Sequence, residues 1–550
     1  MTAAPNTLLS KTESIALDFL HSVVLIDDRV FVPSAAEEAI ATEPLEELQA
    51  PGRRGAAPVE ESDASPKTAG TSTDHPLNAK PLIDRFAEQG LVCAVLRADS
   101  DDDIKRTGKA AQRADIVVLD WKINAVYGDT TLQLIRDIVG SGDRDRLRLI
   151  AIYTGENTLN DISTRVRDEL DAIVGNKYQH KKDDLYAVTR GPVRIVVYAK
   201  ADTMLPTEDE KLHDRITGPH ELPDRLLAEF AQMTSGLVSN VALDALARLR
   251  ASMHRILLRL HPGLDAAYLC HRALVIPPEE AEEHLVALVA AEIAGILEES
   301  GVGRHADVAA IRLWLQDRMA DGANFAASFG FNAEADPLTE LCAILEQGIG
   351  HQALPKQLEA LKSRKQSRTL TERFCTPATD AVRRDSEFAM LVSLRERYAT
   401  RPPYLTLGTI LMSGATEKPS YWLCVQPACD SLRLREKRPF PMLPLAVVSG
   451  DQPFDVIVMD GAEVVKLKAS AKPYDQQLAT FSPDAASHTV KPTVDDKGSM
   501  TFKAEDGVVY RWIGELKPDH AQRFLQRLGS EQGRVGVVES EWMQRSRPSS

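Results

Sequence analysis

Residues 115–120 read Asp-Ile-Val-Val-Leu-Asp, a short apolar run that ends in a carboxylate. Residues 22–28, Ser-Val-Val-Leu-Ile-Asp-Asp, repeat this pattern with two carboxylates at the end. From residue 80 to about 220, such runs alternate with segments of helical periodicity, which is typical of a parallel α/β sheet. We therefore predict five parallel strands, at residues 22–28, 91–96, 115–120, 147–153 and 193–199.

The composition is that of a globular protein, with 43% hydrophobic and 26% charged residues over 550 positions. This length predicts two or three domains. The formal net charge of −15 argues against a broad nucleic-acid-binding surface. No apolar run approaches the roughly 18 residues of a membrane span, and the N-terminus lacks the features of a secretory signal. Six cysteines scattered through apolar stretches favour reduced thiols, and we expect a cytoplasmic protein.

Three domains are predicted from the change of pattern along the chain. Residues 1–220 form the α/β domain, which is interrupted at 33–78 by a segment rich in Ala, Pro, Glu, Ser, Thr and Gly. This composition predicts a disordered insertion. Residues 221–400 form a helical region that begins with a long linking helix at 221–260, and residues 401–550 form a small, mainly-β domain with a C-terminal helix.

Polar residues stand at the carboxyl ends of four predicted strands, where parallel α/β sheets gather their functional groups. Asp27 and Asp28 end the first strand, Asp120 ends the third, and Thr154 and Lys200 follow the fourth and fifth. Three carboxylates at one edge would repel each other unless a hard divalent cation such as Mg²⁺ lay between them. A carboxylate beside that ion can attack a phosphoryl donor, and Lys and Thr side chains can hold the phosphoryl oxygens.

This order of residues resembles the receiver domains of bacterial response regulators, over roughly residues 20–215. The resemblance implies a flavodoxin-like fold and a phosphoacceptor rather than a turnover enzyme. It assigns the accepted phosphoryl group to Asp120, the switch role to Thr154 and contact with the phosphoryl group to Lys200.

The same resemblance implies a magnesium site. Its ligands are the side chains of Asp27, Asp28 and Asp120 and the backbone carbonyl of Lys122. Of the acidic pair, Asp28 is the one expected to bind the ion directly. Gly128, eight residues after Asp120, stands where the family has a glycine in the loop after the acceptor.

Four features depart from the family pattern. The insertion at 33–78 separates the first strand from its following helix, and about twice the usual number of residues lies between Thr154 and Lys200. Ala201 follows Lys200 in place of the usual proline, and the switch aromatic is displaced, with Tyr198 the nearest candidate. These departures concern how phosphorylation is signalled through the last strand, whereas the acceptor site itself is complete.

The predicted helix at 221–260 has two interpretations. Leu246, Leu249, Met253, Ile256 and Leu260 repeat at 3,4 spacing and form one apolar seam. Such a seam suits either a core helix packed on its neighbours or a dimerisation or signalling helix that leaves the α/β domain. No helix-turn-helix pattern with a basic recognition helix follows the α/β domain, so we expect no DNA-binding output.

The C-terminal domain has one conspicuous motif, Cys424-Val-Gln-Pro-Ala-Cys429-Asp430. It resembles a Gln-x-x-Cys-Asp motif of small β domains in bacterial conflict systems. Cysteines five apart do not match a paired-knuckle zinc site. Two interpretations stay open: buried strand cysteines with Asp430 capping a turn, or a nucleophilic Cys429, for which His488 is the histidine nearest in sequence.

The arrangement of domains resembles receiver proteins of two-component phage-defence systems of the Detocs-like kind. That likeness implies a sensor histidine kinase as phosphoryl donor and a separate effector protein as a further partner. The leading hypothesis is a response regulator or phosphoryl sink that acts through protein–protein contacts. The alternatives are an effector enzyme that uses Cys429 and Asp430 under receiver control, and a scaffold whose receiver never accepts phosphate.

Overall fold

The chain forms two compact units, Met1–Gly322 with Leu338–Glu346, and Ala323–Pro337 with Gln347–Ser550. The computed structural model describes residues 7–33, 76–124, 126–140, 146–175, 181–203, 210–276, 278, 280–350, 356–363, 367, 369–397, 402–414, 419–450, 452–461, 463–470 and 472–533. Most of the predicted insertion at 33–78, namely residues 34–75, lies outside these ranges.

The first unit is built around a mixed sheet. Its strands are β1 (Ser22–Ile26), β2 (Val92–Leu96), β3 (Ile116–Leu119), β6 (Arg148–Thr154), β7 (Lys181–Asp184), β8 (Ala187–Arg190), β9 (Val193–Lys200) and β10 (Ile216–Thr217). A separate two-stranded ribbon consists of β4 (Lys122–Ile123) and β5 (Val126–Tyr127). The strand order is β2-β1-β3-β6-β9-β8-β7, and β10 pairs with β9. The pairs along β2-β1-β3-β6-β9 are all parallel.

Among the described residues this sheet has eight strands, so it differs from the predicted sheet of five. A hairpin of β7 and β8 adds two antiparallel strands beside β9 and takes up much of the long stretch between Thr154 and Lys200. Strand β7 was not predicted because its residues, Lys-Lys-Asp-Asp, are all charged and lack an apolar pattern. Charged residues are typical of edge strands, where they prevent pairing with other chains. The two-residue turn from β8 to β9 uses Gly191 at a φ of 57°.

The helices of the first unit cover both faces of the sheet. They are α1 (Leu8–Phe19), α2 (Lys80–Glu88), α3 (Asp101–Ala111), α4 (Asp129–Gly140), α5 (Leu159–Val174), α6 (Glu210–His213), α7 (Leu222–Thr234), α8 (Leu237–Arg259), α9 (Asp265–Leu274), α10 (Glu280–Glu299) and α11 (Val308–Ala320). Alternate residues of β1 and β3 pack against α3, α4 and α5 on one face and against α1, α2 and α7 on the other. Burial on both faces explains why these strands are apolar at nearly every position.

The segment at 221–260 is two helices and not the single long helix that the sequence predicts. Helix α7 ends at Thr234 and α8 begins at Leu237, with Ser235 and Gly236 between them. The side chains of Leu226 and Phe230 on α7 are fully buried against the sheet. Helix α7 is therefore a core helix of the first unit.

The second unit combines helices with an antiparallel sheet. Its helices are α12 (Phe325–Phe329), α13 (Pro337–Gln347, most of which belongs to the first unit), α14 (Leu370–Phe374), α15 (Ala381–Ser393) and α16 (Pro518–Gln532). Its strands are β11 (Thr409–Ser413), β12 (Ser420–Cys424), β13 (Arg438–Val448), β14 (Val456–Asp460), β15 (Glu463–Ala469), β16 (Gln477–Phe481), β17 (Thr493–Val494), β18 (Met500–Lys503) and β19 (Val509–Glu515).

These nine strands form one sheet in the order β14-β15-β13-β12-β11-β19-β18-β17, with β16 paired to β13. Helix α16 packs Phe524 and Leu528 against one apolar cluster, and Phe440, Phe481 and Phe502 lie in a second cluster. The region is thus mainly β with a C-terminal helix.

All six cysteines are among the described residues, and each is a free thiol. A search of the described helices for one both long and apolar enough to cross a membrane finds none.

Candidate functional site

The parallel strands of the first unit bring four polar segments to one edge of the sheet. Asp27 follows β1 and Asp120 follows β3, and the last paired residues of these neighbouring strands are Ile26 and Leu119. Thr154 ends β6 and Lys200 ends β9. Because all four strands run in the same direction, their carboxyl ends meet at this edge.

Three carboxylates form a compact cluster there. One oxygen from each of Asp27, Asp28 and Asp120 lies within 4.8 Å of the other two. Each carboxylate accepts a backbone N–H: that of Arg29 on Asp27 (2.7 Å), that of Asn124 on Asp28 (2.8 Å) and that of Trp121 on Asp120 (2.8 Å). The Oδ1 atom of Asp28 is buried and has no hydrogen-bond partner among the described residues. An acidic pocket with an unpartnered oxygen suits a hard cation.

A buried ammonium group faces the cluster. Lys200, 4% exposed, places its Nζ 3.1 Å from Oδ2 of Asp27 and 3.6 Å from Oδ2 of Asp120. Asp27 is itself only 1% exposed. Three carboxylates lie together beside this ammonium, and a divalent cation between them would reduce their mutual repulsion.

The environment shifts the acid–base equilibrium of Asp120. Its carboxyl pKa is raised to about 7, mainly because the group is buried. The positive charge of Lys200 opposes this shift, and the negative charges of Asp27 and Asp28 add to it. A cation bound among the three carboxylates would favour the ionised form of Asp120.

A small cavity of about 20 Å³ opens beside these groups. Asp120, Thr154 and Lys200 line it, together with residues that the sequence analysis did not single out: Arg29, Gly155 and Glu156. Lys122, the predicted carbonyl ligand, also lines this cavity and belongs to the β4–β5 ribbon. The hydroxyl oxygen of Thr154 accepts the N–H of Glu156 at 3.1 Å, which holds the Thr154 side chain in place.

The loop after Asp120 is held by two residues of different kinds. Thr131, which is fully buried, donates its hydroxyl to the carbonyl of Asp120 (2.7 Å) and is 3.1 Å from that of Trp121. Gly128 has a φ of 78°, and a Cβ there would lie 2.4 Å from the Trp121 ring. A glycine is therefore required at 128 both by its backbone conformation and by the indole packed over it. Asn124 and Thr131 escaped the sequence analysis because a single polar residue in a loop or first helical turn carries no distinctive signal.

Tyr198 is anchored away from the acidic cluster. Its hydroxyl donates to Oε1 of the buried Glu229 on α7 at 3.0 Å. Burial raises the pKa of Tyr198, and the charge of Glu229 adds to the rise. Glu229 also accepts hydrogen bonds from Arg194 on β9 and from Arg215. The aromatic nearest the switch position is thus part of a buried polar network that ties β9 to α7.

Cys429 and Asp430, the two candidate residues of the C-terminal region, lie in the second unit. Cys429 is exposed, and its Sγ is 3.8 Å from Oδ1 of Asp430 within a short 3₁₀ turn, Ala428–Ser431. Within the described part of the chain, no hydrogen bond joins Cys429 to His488. Cys424, by contrast, is buried in β12, and burial raises the pKa of its thiol to about 12.

A model of a known protein family matches the part of the chain that holds the acidic site. The family model described as the response receiver domain matches residues 19–204. No curated protein and no solved structure matches the chain. The match contains β1, β3, β6 and β9 and the five polar residues at their carboxyl ends. Residues 19–204 of this chain are therefore a response receiver domain.

Proposed function

We propose that this receiver domain accepts a phosphoryl group on Asp120 from a sensor histidine kinase, in a Mg²⁺-dependent reaction. One observation carries the proposal: three carboxylates, a buried ammonium and a hydroxyl meet at one small cavity. A receiver domain supports a response-regulator role in two-component signalling.

The residues present fit a magnesium ion. Asp27, Asp28 and Asp120 would hold it together with the backbone carbonyl of Lys122, and the unpartnered Oδ1 of Asp28 is a ligand atom in need of a cation. When bound, the ion would offset the charge of the carboxylates and of the incoming phosphoryl oxygens. The donor set consists of oxygen atoms alone, which is the preference of Mg²⁺.

Four residues of the chain, Trp121, Asp120, Lys200 and Thr154, would carry out the transfer of the phosphoryl group. The Trp121 N–H holds Oδ1 of Asp120, which leaves Oδ2, 3.6 Å from Nζ of Lys200, as the nucleophile. An oxygen–phosphorus bond to Asp120 forms while the bond from phosphorus to the donor's histidine nitrogen breaks, and the product is an aspartyl phosphate. Lys200 then pairs with a phosphoryl oxygen, and the Thr154 hydroxyl turns from Glu156 to donate to another.

We propose that the phosphorylated protein acts through protein–protein contact, either as the regulator of a separate effector or as a phosphoryl sink. Phage defence is the setting in which we place this role. The alternative of an enzyme using Cys429 and Asp430 has weaker support: the exposed Cys429 thiol has a 3.8 Å contact with Oδ1 of Asp430, and no histidine is hydrogen-bonded to it in the described structure. A nucleophilic cysteine needs a neighbouring base or another group that lowers its pKa.

Intact-protein mass spectrometry tests the proposal. Incubation with Mg²⁺ and acetyl phosphate, or with a purified phosphorylated histidine kinase, should add one phosphoryl group (about 80 Da) to the wild type. Asp120→Ala should abolish the gain, and EDTA should prevent it. Asp137→Ala, which removes an exposed carboxylate from α4 in the same domain, is the matched control and should be phosphorylated normally.

Failure of the wild type with both donors would establish a receiver that does not accept phosphate. A gain that persists in Asp120→Ala would place the acceptor elsewhere.

A further inference from the structure

A set of helices in the first unit buries almost none of its apolar residues. We define the arm as residues 248–276, which run from the second half of α8 through α9, together with α10. The buried residues of α8 all lie between 240 and 247, α9 has none, and α10 has only Ala281. Helices of a folded domain normally bury at least one apolar stripe, so the described part of the chain provides no surface that fully covers the arm.

The exposed side chains of the arm are large and apolar. Five of them are between 70% and 88% exposed: Leu257, Leu258, Leu274, Ile276 and Val286. Six more are exposed to a smaller degree: Met253, Leu264, Leu269, Leu285, Leu288 and Val289. So many exposed apolar side chains on neighbouring segments indicate an interaction surface, since monomeric proteins rarely leave large amounts of apolar surface in water.

The area matches a protein–protein interface. A buried aliphatic side chain removes roughly 100 Å² of apolar surface from water. Eleven residues that are on average more than half exposed offer on the order of 700 Å². A standard interface takes about 800 Å² from each partner, so the arm needs little additional polar surface to form one.

The charges of the arm identify the partner. Residues 248–259 carry four arginines and no acidic residue, whereas α10 carries six glutamates and no lysine or arginine. Arg248 and Arg250 already pair with Asp244 and Asp115, which leaves Arg255 and Arg259 as the basic residues nearest the end of α8. Two ion pairs within the arm, Arg259–Glu292 at 2.6 Å and Arg272–Glu282 at 2.8 Å, already join basic and acidic residues of different helices. A two-fold axis would set the basic helix of one copy against the acidic helix of the other, which makes this surface complementary to itself.

We propose that the arm is the surface through which two copies of this chain associate. The proposal moves the predicted dimer contact from residues 221–260 as a whole to the arm, because α7 is already covered by the receiver sheet. It does not depend on phosphorylation of Asp120.

Sedimentation equilibrium of the full chain tests this pairing. At micromolar concentrations the wild type should have twice the 60.4 kDa mass of one chain. Leu257→Glu with Val286→Glu should weaken association about tenfold or more, because each charge would have to be buried at the interface. Both positions are exposed in the single chain, so the variant should keep its fold, which circular dichroism verifies.

A matched control is Leu478→Glu, which changes a leucine that is 68% exposed on β16 of the second unit. It should associate like the wild type. A monomeric wild type, a dimer unaffected by the arm substitutions, or equal weakening by Leu478→Glu would each overturn the proposal.

Discussion

The receiver-containing unit buries charged side chains, whereas the C-terminal β region leaves its charged side chains at least partly exposed among the described residues. Among the described residues, every buried charged or histidine side chain belongs to the first unit: Asp27, Asp115, Arg148, Arg190, Arg194, Lys200, Glu229, Asp244 and His305. The buried polar residues described in the second unit are neutral, such as Thr409 and Ser431. Burial of an ion costs several kcal/mol unless partners compensate it.

Within the first unit, the buried charges fall into two groups, those that are fully paired and those that are not. Glu229 has four donor contacts, from Arg194, Tyr198 and Arg215, so its charge is fully partnered. In the cluster of Asp27, Asp28 and Asp120, by contrast, the buried Oδ1 of Asp28 has no hydrogen-bond partner among the described residues. Incomplete compensation of buried charge therefore points to a ligand, and complete compensation points to a structural role.

The largest effect is expected from truncation of the buried network. Glu229→Ala would leave Arg194 and Arg215 without their acceptor and should lower the free energy of unfolding by about 3–5 kcal/mol. Asp460→Ala in the second unit removes a partner of Tyr421 and of the one-third-exposed Arg511, and should cost about 1 kcal/mol. Differential scanning calorimetry measures both. Equal losses would contradict the contrast between the two units, and Glu229→Gln should be intermediate.

A smaller effect of opposite sign is expected at the acidic cluster. Because the folded-state pKa of Asp120 lies near 7, above its ordinary value of 3.8, its favourable contribution to stability is complete below pH 3.8. That contribution is lost as the pH rises through about 7. In EDTA, Asp120→Asn should therefore be more stable than the wild type by about 1 kcal/mol at pH 8, and the advantage should shrink towards pH 5.

Urea unfolding across this pH range gives the comparison, with Asp137→Asn as a control whose stability should follow the wild type. Added Mg²⁺ should stabilise the wild type more than Asp120→Asn. A difference between the two proteins that does not change with pH would contradict the assigned cause.

The smallest effect is expected at Cys429. Because the thiol is exposed, Cys429→Ser should change the free energy of unfolding by less than about 0.5 kcal/mol and leave phosphorylation of Asp120 unchanged. In the native protein at pH 8, an aromatic disulfide reagent should modify Cys429 and Cys270 but not Cys424, whose burial raises its pKa to about 12. Peptide mapping by mass spectrometry reads the sites. Modification of Cys424 at the rate of Cys429 would refute the difference in burial.

The receiver could be recognised from the sequence because its signals are local and ordered. Apolar runs covered on both faces stand out, and Asp27, Asp120, Thr154 and Lys200 each follow such a run. The family match over residues 19–204 confirms the receiver prediction. Strand β7 was missed because a charged edge strand lacks the apolar pattern, and the break after α7 was missed because apolar periodicity continues through Ser235 and Gly236.

Residue order along the chain was enough to identify the receiver and to nominate its acidic residues, since each strand end carries its own polar signal. Contacts between distant segments could come only from the folded chain. They include the 3.1 Å contact between Lys200 and Asp27, which are 173 residues apart, and the network at Glu229. The exposure of the arm could likewise be seen only in the folded chain. Burial and partner choice depend on which segments pack together, and periodicity shows that a helix has an apolar face without showing what covers it.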